Sequence, residues 1–191
     1  MADSRPTVLV VDDDPSIAQA YSLWLDDEYD VEVAHDGEEA LDAVSEATDV
    51  VLLDRRMPNV SGGEALETIR EAGYDCRVAM VTAVDPEFDI VEMPFDSYLS
   101  KPVSREEVVD TIETLLDLAE YDETVAERFA VERKRAALEA RKPAAELEAS
   151  EAYDRLREQS ERLADTTEIE MDHETFEKAL GDIGDELETA F

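Results

Sequence analysis

Cysteine and long apolar stretches are scarce in this chain of 191 residues. Cys76 is the only cysteine, which excludes an intramolecular disulfide. No apolar stretch reaches about 18 residues, so the sequence offers no helix that could cross a membrane. No secretory signal peptide is recognisable at its start. We therefore expect a cytoplasmic protein without a membrane partner.

Basic residues are also few. Lysine and arginine total 17, against 52 aspartates and glutamates, and the net charge is −35. Such a surface repels nucleic-acid backbones and anionic membranes, so generic binding to either is disfavoured. Disorder does not explain the acid excess in residues 1–118, because apolar residues recur there in regular runs. We interpret the charge as adaptation to a salt-rich, halophilic cytoplasm, since the Debye length is about 3 Å in molar salt.

Short apolar runs alternate with amphipathic segments in residues 1–118, a pattern typical of parallel strands and covering helices. The runs are Thr7–Val11, Val31–Val33, Val50–Leu53, Val78–Val81 and Tyr98–Ser100. Helix-start signals lie at Asp14-Pro15, Asp36, Ser61 and Ser104. The order predicts an α/β fold with a parallel, doubly wound sheet. Asp85-Pro86 and Pro94 confine its fourth helix to about two turns.

Polar residues follow the predicted strands where each strand ends. Asp12 and Asp13 follow the first, Asp54 the third, Thr82 ends the fourth, and Lys101 follows the fifth. Ligands of open α/β sheets bind beyond these carboxyl ends. Two carboxylates about 4 Å apart repel by roughly 4 kcal/mol at an effective dielectric of 20, so a cation must offset them. Oxygen ligands without His or Cys favour Mg²⁺.

Residues 7–118 resemble the receiver domain of two-component response regulators of the chemotaxis-regulator type. The matching residues are Asp12-Asp13, Asp54 with Met57-Pro58 and Gly62, Thr82-Ala83, and Tyr98 with Lys101-Pro102. The resemblance implies five parallel strands in the order 2-1-3-4-5. It also implies that Asp54 accepts phosphate from the phosphohistidine of a sensor histidine kinase and forms a transient aspartyl phosphate. The protein is then a signalling protein rather than an enzyme, with autodephosphorylation as a further expectation.

The same resemblance implies roles for the surrounding residues. The Mg²⁺ ligands would be Asp12, Asp13, Asp54 and the backbone carbonyl of Arg56. Lys101 would pair with the phosphate, and Thr82 would donate a hydrogen bond to it. Tyr98 would turn inward as a switch, although a packed core aromatic is an equally good interpretation. The Lys101–Pro102 bond is expected to be cis.

A second domain at residues 121–191 follows the predicted receiver domain at 1–120, and it has no strand pattern. The sequence of this domain predicts helices at about 122–142 and 144–165, separated at Pro143, and a weaker one near 173–190. Apolar stripes fall at Ala149, Tyr153, Leu156, Ser160 and Leu163, and again at Phe176, Leu180, Ile183 and Leu187. They suit either a hairpin folded on its own chain or a coiled coil with a second chain, and we favour a homodimer. Residues 120–165 resemble the HalX domain of halophilic archaea, chiefly at 121–124 and 142–150.

Two other functions compete with a relay from a sensor kinase to an unidentified protein partner. A DNA-binding regulator could use the basic stretch 128–142, but residues 122–191 carry 10 basic and 21 acidic residues, a net charge of −11. A phosphatase of the haloacid-dehalogenase type could use Asp12 as its nucleophile, with Asp14, Thr82, Lys101 and Asp182 in its motif order. The second fits poorly, because Pro15 stands where a Gly-Thr turn is expected and Asp54 has no role.

Overall fold

The computed structural model describes residues 5–119, 121 and 123–167, with side chains described up to residue 164. The chain forms two compact units. Among the described residues, the first contains 5–85 together with 93–117, and the second contains 86–92 together with those from 118 to 167. The boundary we expect between residues 120 and 121 stays a prediction.

The first unit is built on a five-stranded parallel sheet in the order β2-β1-β3-β4-β5. The strands are β1 (Thr7–Val11), β2 (Asp30–Ala34), β3 (Val50–Leu53), β4 (Arg77–Thr82) and β5 (Ser97–Ser100). Every residue of β3 is buried, and β1 and β4 are buried after their first residue, as expected of strands covered on both faces. The predicted fold class and strand order are therefore confirmed.

Four helices accompany the sheet, and most begin at side chains that the sequence suggested. They are α1 (Pro15–Leu25), α2 (Gly37–Ala43), α3 (Gly62–Glu71) and α4 (Arg105–Leu118). The Asp14 carboxylate caps α1 by accepting from the Ser16 N–H. Ser61 and Glu64 form a complete capping box at α3. These caps satisfy backbone donors that each first turn leaves without partners.

The connection between β4 and β5 contains less helix than predicted. Instead of about two helical turns it contains a single 3₁₀ turn, Phe88–Val91. Glu87 stands at the N-cap without a side-chain hydrogen bond to the turn. Pro94 disfavours the helical conformation at Met93, so too few residues remain for an α-helix.

The second unit contains three helices among its described residues: α5 (Glu123–Arg141), α6 (Ala144–Glu148) and α7 (Glu151–Thr167). The helix predicted at 144–165 is thus two helices. The break lies at Ala149-Ser150, where the Ser150 hydroxyl accepts from the Tyr153 N–H at 3.2 Å and starts α7. The helix predicted near 173–190 lies outside the described residues. No helix in the described part of the chain is long and apolar enough to span a membrane.

α5 and α7 pack against each other within one chain, as the hairpin interpretation expected. The Ser160 hydroxyl donates to Glu132 at 2.5 Å, and the Tyr153 hydroxyl donates to Glu139 at 2.5 Å. Leu156 of the predicted stripe is buried against this hairpin's interior, whereas Ala149 is exposed and precedes α7. The homodimer stays a prediction.

Candidate functional site

Asp12 and Asp54 stand at the ends of two adjacent strands. Val11 pairs with Leu53 in the parallel register of β1 and β3, so the residue after each strand lies at the same edge of the sheet. The Asp54 N–H donates to the Val11 carbonyl at 2.9 Å, and the Asp12 N–H donates to Ala34 at 3.1 Å. These bonds extend the strand pairing beyond the strands and fix both aspartate backbones.

Lys101 joins the two carboxylates. Its Nζ lies 2.5 Å from Asp12 Oδ2 and 2.9 Å from Asp54 Oδ1. All three side chains are largely buried, with 13%, 3% and 8% exposure for Lys101, Asp12 and Asp54. The Lys101 N–H donates to the Thr82 carbonyl at 2.9 Å, which ties it to the end of β4. The Lys101–Pro102 peptide bond is cis, as the resemblance implied. One ammonium therefore pairs with both buried carboxylates in this structure.

The remaining oxygens of both carboxylates accept backbone hydrogen bonds. Asp12 Oδ1 accepts from the Asp14 N–H at 3.0 Å, and Asp54 Oδ2 accepts from the Arg56 N–H at 2.8 Å. These bonds orient the two carboxylates before any ligand arrives. Asp13 is exposed on the same loop as Asp12.

Burial and hydrogen bonds together shift the pKa values of Asp12 and Lys101. Burial raises the pKa of Asp12 above its usual range, although hydrogen bonds from Lys101 and the Asp14 N–H oppose the shift. Burial alone would lower the pKa of Lys101, but hydrogen bonds to Asp12 and Asp54 outweigh it, so the pKa of Lys101 is raised. The lysine therefore stays charged, and Asp12 is a weaker acid than an exposed aspartate.

Close backbone packing supports the loop between β3 and α3. The Gly62 N–H donates to the Arg55 carbonyl at 3.0 Å, and a Cβ at position 62 would collide with the Asp54 carbonyl oxygen. At Gly37 a Cβ would lie 2.5 Å from the Val60 carbonyl oxygen and 2.7 Å from Val60 Cβ. Both glycines let a helix start press against the loop that contains Arg56. The sequence suggested only Gly62; Gly37 gave no signal beyond its place after a helix cap.

Thr82 and Tyr98 both bind the backbone of Val84. The buried Thr82 hydroxyl oxygen accepts from the Val84 N–H at 3.3 Å, and the Tyr98 hydroxyl donates to the Val84 carbonyl at 2.6 Å. Tyr98 is 7% exposed, and its ring lies against that of Phe95 with 5.7 Å between ring centroids. Tyr98 is packed inward here, but its hydroxyl is fixed to the loop after β4. The importance of Val84 could not be read from the sequence.

The cluster suits a hard cation, although it is not a ready-made cage. Among the described residues, no group of three or more His, Cys, Asp or Glu side chains is placed to hold a metal. Asp12 and Asp54 nevertheless share one positive charge, and Asp13 lies beside Asp12. Their donor atoms are all oxygens, which suits Mg²⁺, an ion that keeps several waters and needs few protein ligands. The residues therefore fit Mg²⁺, provided that Lys101 releases Asp12.

Two family descriptions match the chain. The response regulator receiver domain matches residues 8–113, and the HalX domain matches residues 117–191. The chain is 57% identical over 130 residues to a Haloferax volcanii protein named provisionally as a transcriptional regulator, a match covering 68% of this chain and 22% of that protein. It is 37% identical over 120 residues to the transcriptional regulatory protein CpxR of Escherichia coli K12, covering 61% of this chain and 51% of CpxR.

Among solved structures, the response regulator protein TrrA from Thermotoga maritima is similar. That crystal structure, a complex with Mg²⁺-BeF, has a TM-score of 0.53 and 32% identity, and the match covers 58% of this chain and 99% of TrrA. The chain spans only about a fifth and about a half of the two curated relatives above.

Proposed function

This chain belongs to the response regulator receiver family and continues into a HalX domain, and from that membership we propose that Asp54 is its phosphoacceptor. In this function Asp54 takes phosphate from the phosphohistidine of a sensor histidine kinase. One observation carries the proposal: the Lys101 ammonium bridges Asp54 and Asp12 at the ends of neighbouring strands. A nucleophilic carboxylate beside a fixed cation is the arrangement that phosphoryl transfer requires.

Each neighbour of Asp54 has a distinct part in the transfer. An ionised Asp54 oxygen attacks phosphorus, the new P–O bond forms as the P–N bond of phosphohistidine breaks, and the electron pair stays on the imidazole nitrogen. No general base is needed, because the carboxylate is already deprotonated. Lys101 pairs with an oxygen of the transferred group, and the Thr82 hydroxyl donates to another. Asp12, Asp13, Asp54 and the Arg56 carbonyl would hold Mg²⁺, which would supply charge neutralisation there.

The acyl phosphate is labile, so the signal is temporary. Hydrolysis by water returns Asp54 to its carboxylate, and we include autodephosphorylation in the proposal. The protein then acts as a timed relay between a kinase and an output partner, which we propose to be a protein.

A role in transcription is favoured only by the names of the relatives. The basic stretch 128–142 offers little free charge for DNA. The Lys134 side chain is buried and its Nζ donates to the Val91 carbonyl at 3.3 Å, while Arg135 pairs with Glu132 at 2.8 Å. Molar salt also weakens phosphate contacts steeply. A gel shift with the full chain in molar KCl tests this point, and sequence-selective retardation would make DNA the output partner.

The second carboxylate of the phosphatase alternative is already engaged as a helix cap. This acid would be Asp14, whose side chain caps α1 by accepting from the Ser16 N–H at 2.8 Å. Labelling with acetyl phosphate and Mg²⁺ separates the two functions. Asp54→Asn abolishes the label if the receiver function holds. Asp14→Asn is the matched control, because asparagine is an equally good cap. A label lost only in Asp12→Asn would instead identify a hydrolase.

A further inference from the structure

Residues 86–92 follow β4 and precede β5 in the chain, yet they belong to the helical unit. The 3₁₀ turn Phe88–Val91 packs with α5 and α7. Ile90, in the middle of the turn, is fully buried. The segment 86–92, which follows the fourth strand in the chain, therefore contributes to the core of the second unit.

Three basic side chains of the helical unit hold this segment. The buried Lys134 of α5 donates to the Val91 carbonyl, at the end of the turn where the backbone dipole is negative. Lys142 binds Glu87 at 2.5 Å and lies 5.7 Å from the centre of the Phe88 ring. The exposed pair between Arg155 of α7 and Glu92, at 3.3 Å, adds little. Lys134, Lys142 and the burial of Ile90 therefore provide most of the attachment.

The start of this segment is linked directly to the proposed phosphorylation site. Only three residues separate Thr82 from Pro86, and the middle one is Val84. The Val84 N–H is bound by Thr82 and its carbonyl by Tyr98. A hydroxyl can accept and donate at once, but rotation of the Thr82 side chain toward a phosphoryl oxygen would take its oxygen away from the Val84 N–H. The backbone that leads into residues 86–92 must then find a new arrangement.

We propose that residues 86–92 are the output surface of the receiver and that their partner is the helical domain of the same chain. Phosphorylation of Asp54 changes how the 3₁₀ turn packs on α5 and α7, and the altered helical domain presents the signal. The inference rests on the proposed phosphoacceptor function. It assigns Lys134 and Lys142, in the basic stretch 128–142, contacts with residues 86–92 within the chain rather than contacts with nucleic acid.

Hydrogen exchange measured by mass spectrometry on the full chain, in molar KCl with and without Mg²⁺ and beryllofluoride, tests the proposal. In the wild type we expect Mg²⁺ and beryllofluoride to change the hydrogen-exchange rates of residues 86–92 several-fold. The rates of the facing parts of α5 and α7 should change by a similar factor. Lys134→Met keeps the aliphatic stem but removes the ammonium. Tyr98→Phe removes only the hydroxyl that binds Val84. In both variants the response of α5 and α7 should fall at least threefold.

Arg157→Met is the matched control, because Arg157 lies on α7 and, among the described residues, forms an exposed ion pair with Asp154 of the same helix. Its response should equal that of the wild type. Acetyl phosphate labelling of Asp54 is measured in every variant and should be retained. A labelled wild type whose helical domain does not respond, or a full response in both Lys134→Met and Tyr98→Phe, overturns the proposal. So does a response that appears only as protein concentration rises, since the partner would then be a second chain. A wild type without label would instead refute the phosphoacceptor function.

Discussion

Replacing Lys101 with methionine removes the charge that Asp12 and Asp54 share while keeping most of the side-chain volume. The two carboxylate oxygens that contact Nζ lie at most about 5.4 Å apart, the sum of the two measured distances. At an effective dielectric of 20, two unit charges at that separation repel by about 3 kcal/mol. Because the cluster is largely buried, salt screens this repulsion only weakly. We expect Lys101→Met to lose about 3 kcal/mol of unfolding free energy at pH 7 without divalent cations.

The loss should depend on pH in a defined direction. Without Lys101, one carboxylate can escape the repulsion by taking a proton, so its pKa in the folded state rises above the unfolded value of 3.8. A carboxylate with a raised folded pKa destabilises the protein above its unfolded pKa, and the penalty vanishes as pH falls toward that value. Protonation costs about 1.4 kcal/mol per pH unit above 3.8, which limits the penalty to about 1.6 kcal/mol at pH 5.

Mg²⁺ should reverse most of the loss. In the wild type a divalent cation competes with Lys101 for Asp12, whereas in Lys101→Met it meets two carboxylates without a counter-charge. We therefore expect Mg²⁺ to raise the unfolding free energy of the variant more than that of the wild type. Denaturant titration in molar KCl, with EDTA or with 10-fold steps of Mg²⁺, measures both effects. Arg157→Met is the control, because it removes a cation whose pair with Asp154 is exposed on α7. Equal stability of Lys101→Met and wild type in EDTA, or equal responses to Mg²⁺, would refute the reasoning.

Three further predictions concern the surroundings of the site and the charge. Gly37→Ala should lose about 1–3 kcal/mol of unfolding free energy in denaturant titration, because its Cβ would meet Val60, whereas Gly63→Ala, whose Cβ would make its nearest contact at 3.6 Å, should not lose stability. Ser61→Ala should raise the pKa of Glu64 toward 4.5 in an NMR titration, because hydrogen bonds from Ser61 lower it; that cap stabilises above pH 4.5 and is lost as pH falls through the lowered pKa. With a net charge of −35, the chain should melt several degrees lower in dilute buffer than in molar KCl, and an unchanged midpoint would remove the salt-adaptation explanation.

The sheet could be predicted because its signals are local. Continuous apolar runs of four or five residues have few alternatives to buried parallel strands, and caps such as Ser61 with Glu64 mark helix starts without reference to distant residues. The meeting of Asp12 with Asp54 follows from the same signals, since parallel neighbours end at one edge of the sheet. The roles of these residues in phosphoryl transfer stay predictions.

The features that could not be predicted depend on contacts between distant residues. Nothing near Phe88 indicates that the turn would pack with α5 and α7, because Lys134 and Lys142 lie more than forty residues away in the chain. The break before α7 has a different cause. Ser150 is a good helix cap, but the alanines and glutamates on both sides favour an uninterrupted helix. The end of α6 at Glu148 could therefore not be predicted from the composition of this segment.

The distribution of charge within the helical unit gives the scarce basic residues a structural purpose. A chain with three acidic residues for every basic one can pair only a minority of its acids. Several of these few cations contact or support residues 86–92. Lys134 binds Val91 and Lys142 binds Glu87, while Arg135 pairs within the α5–α7 hairpin that packs with this segment. In molar salt, exposed ion pairs are screened, whereas the hydrogen bond from the buried Lys134 to the Val91 carbonyl is screened much less. The attachment of residues 86–92 is therefore suited to the high-salt conditions in which this acidic protein would function.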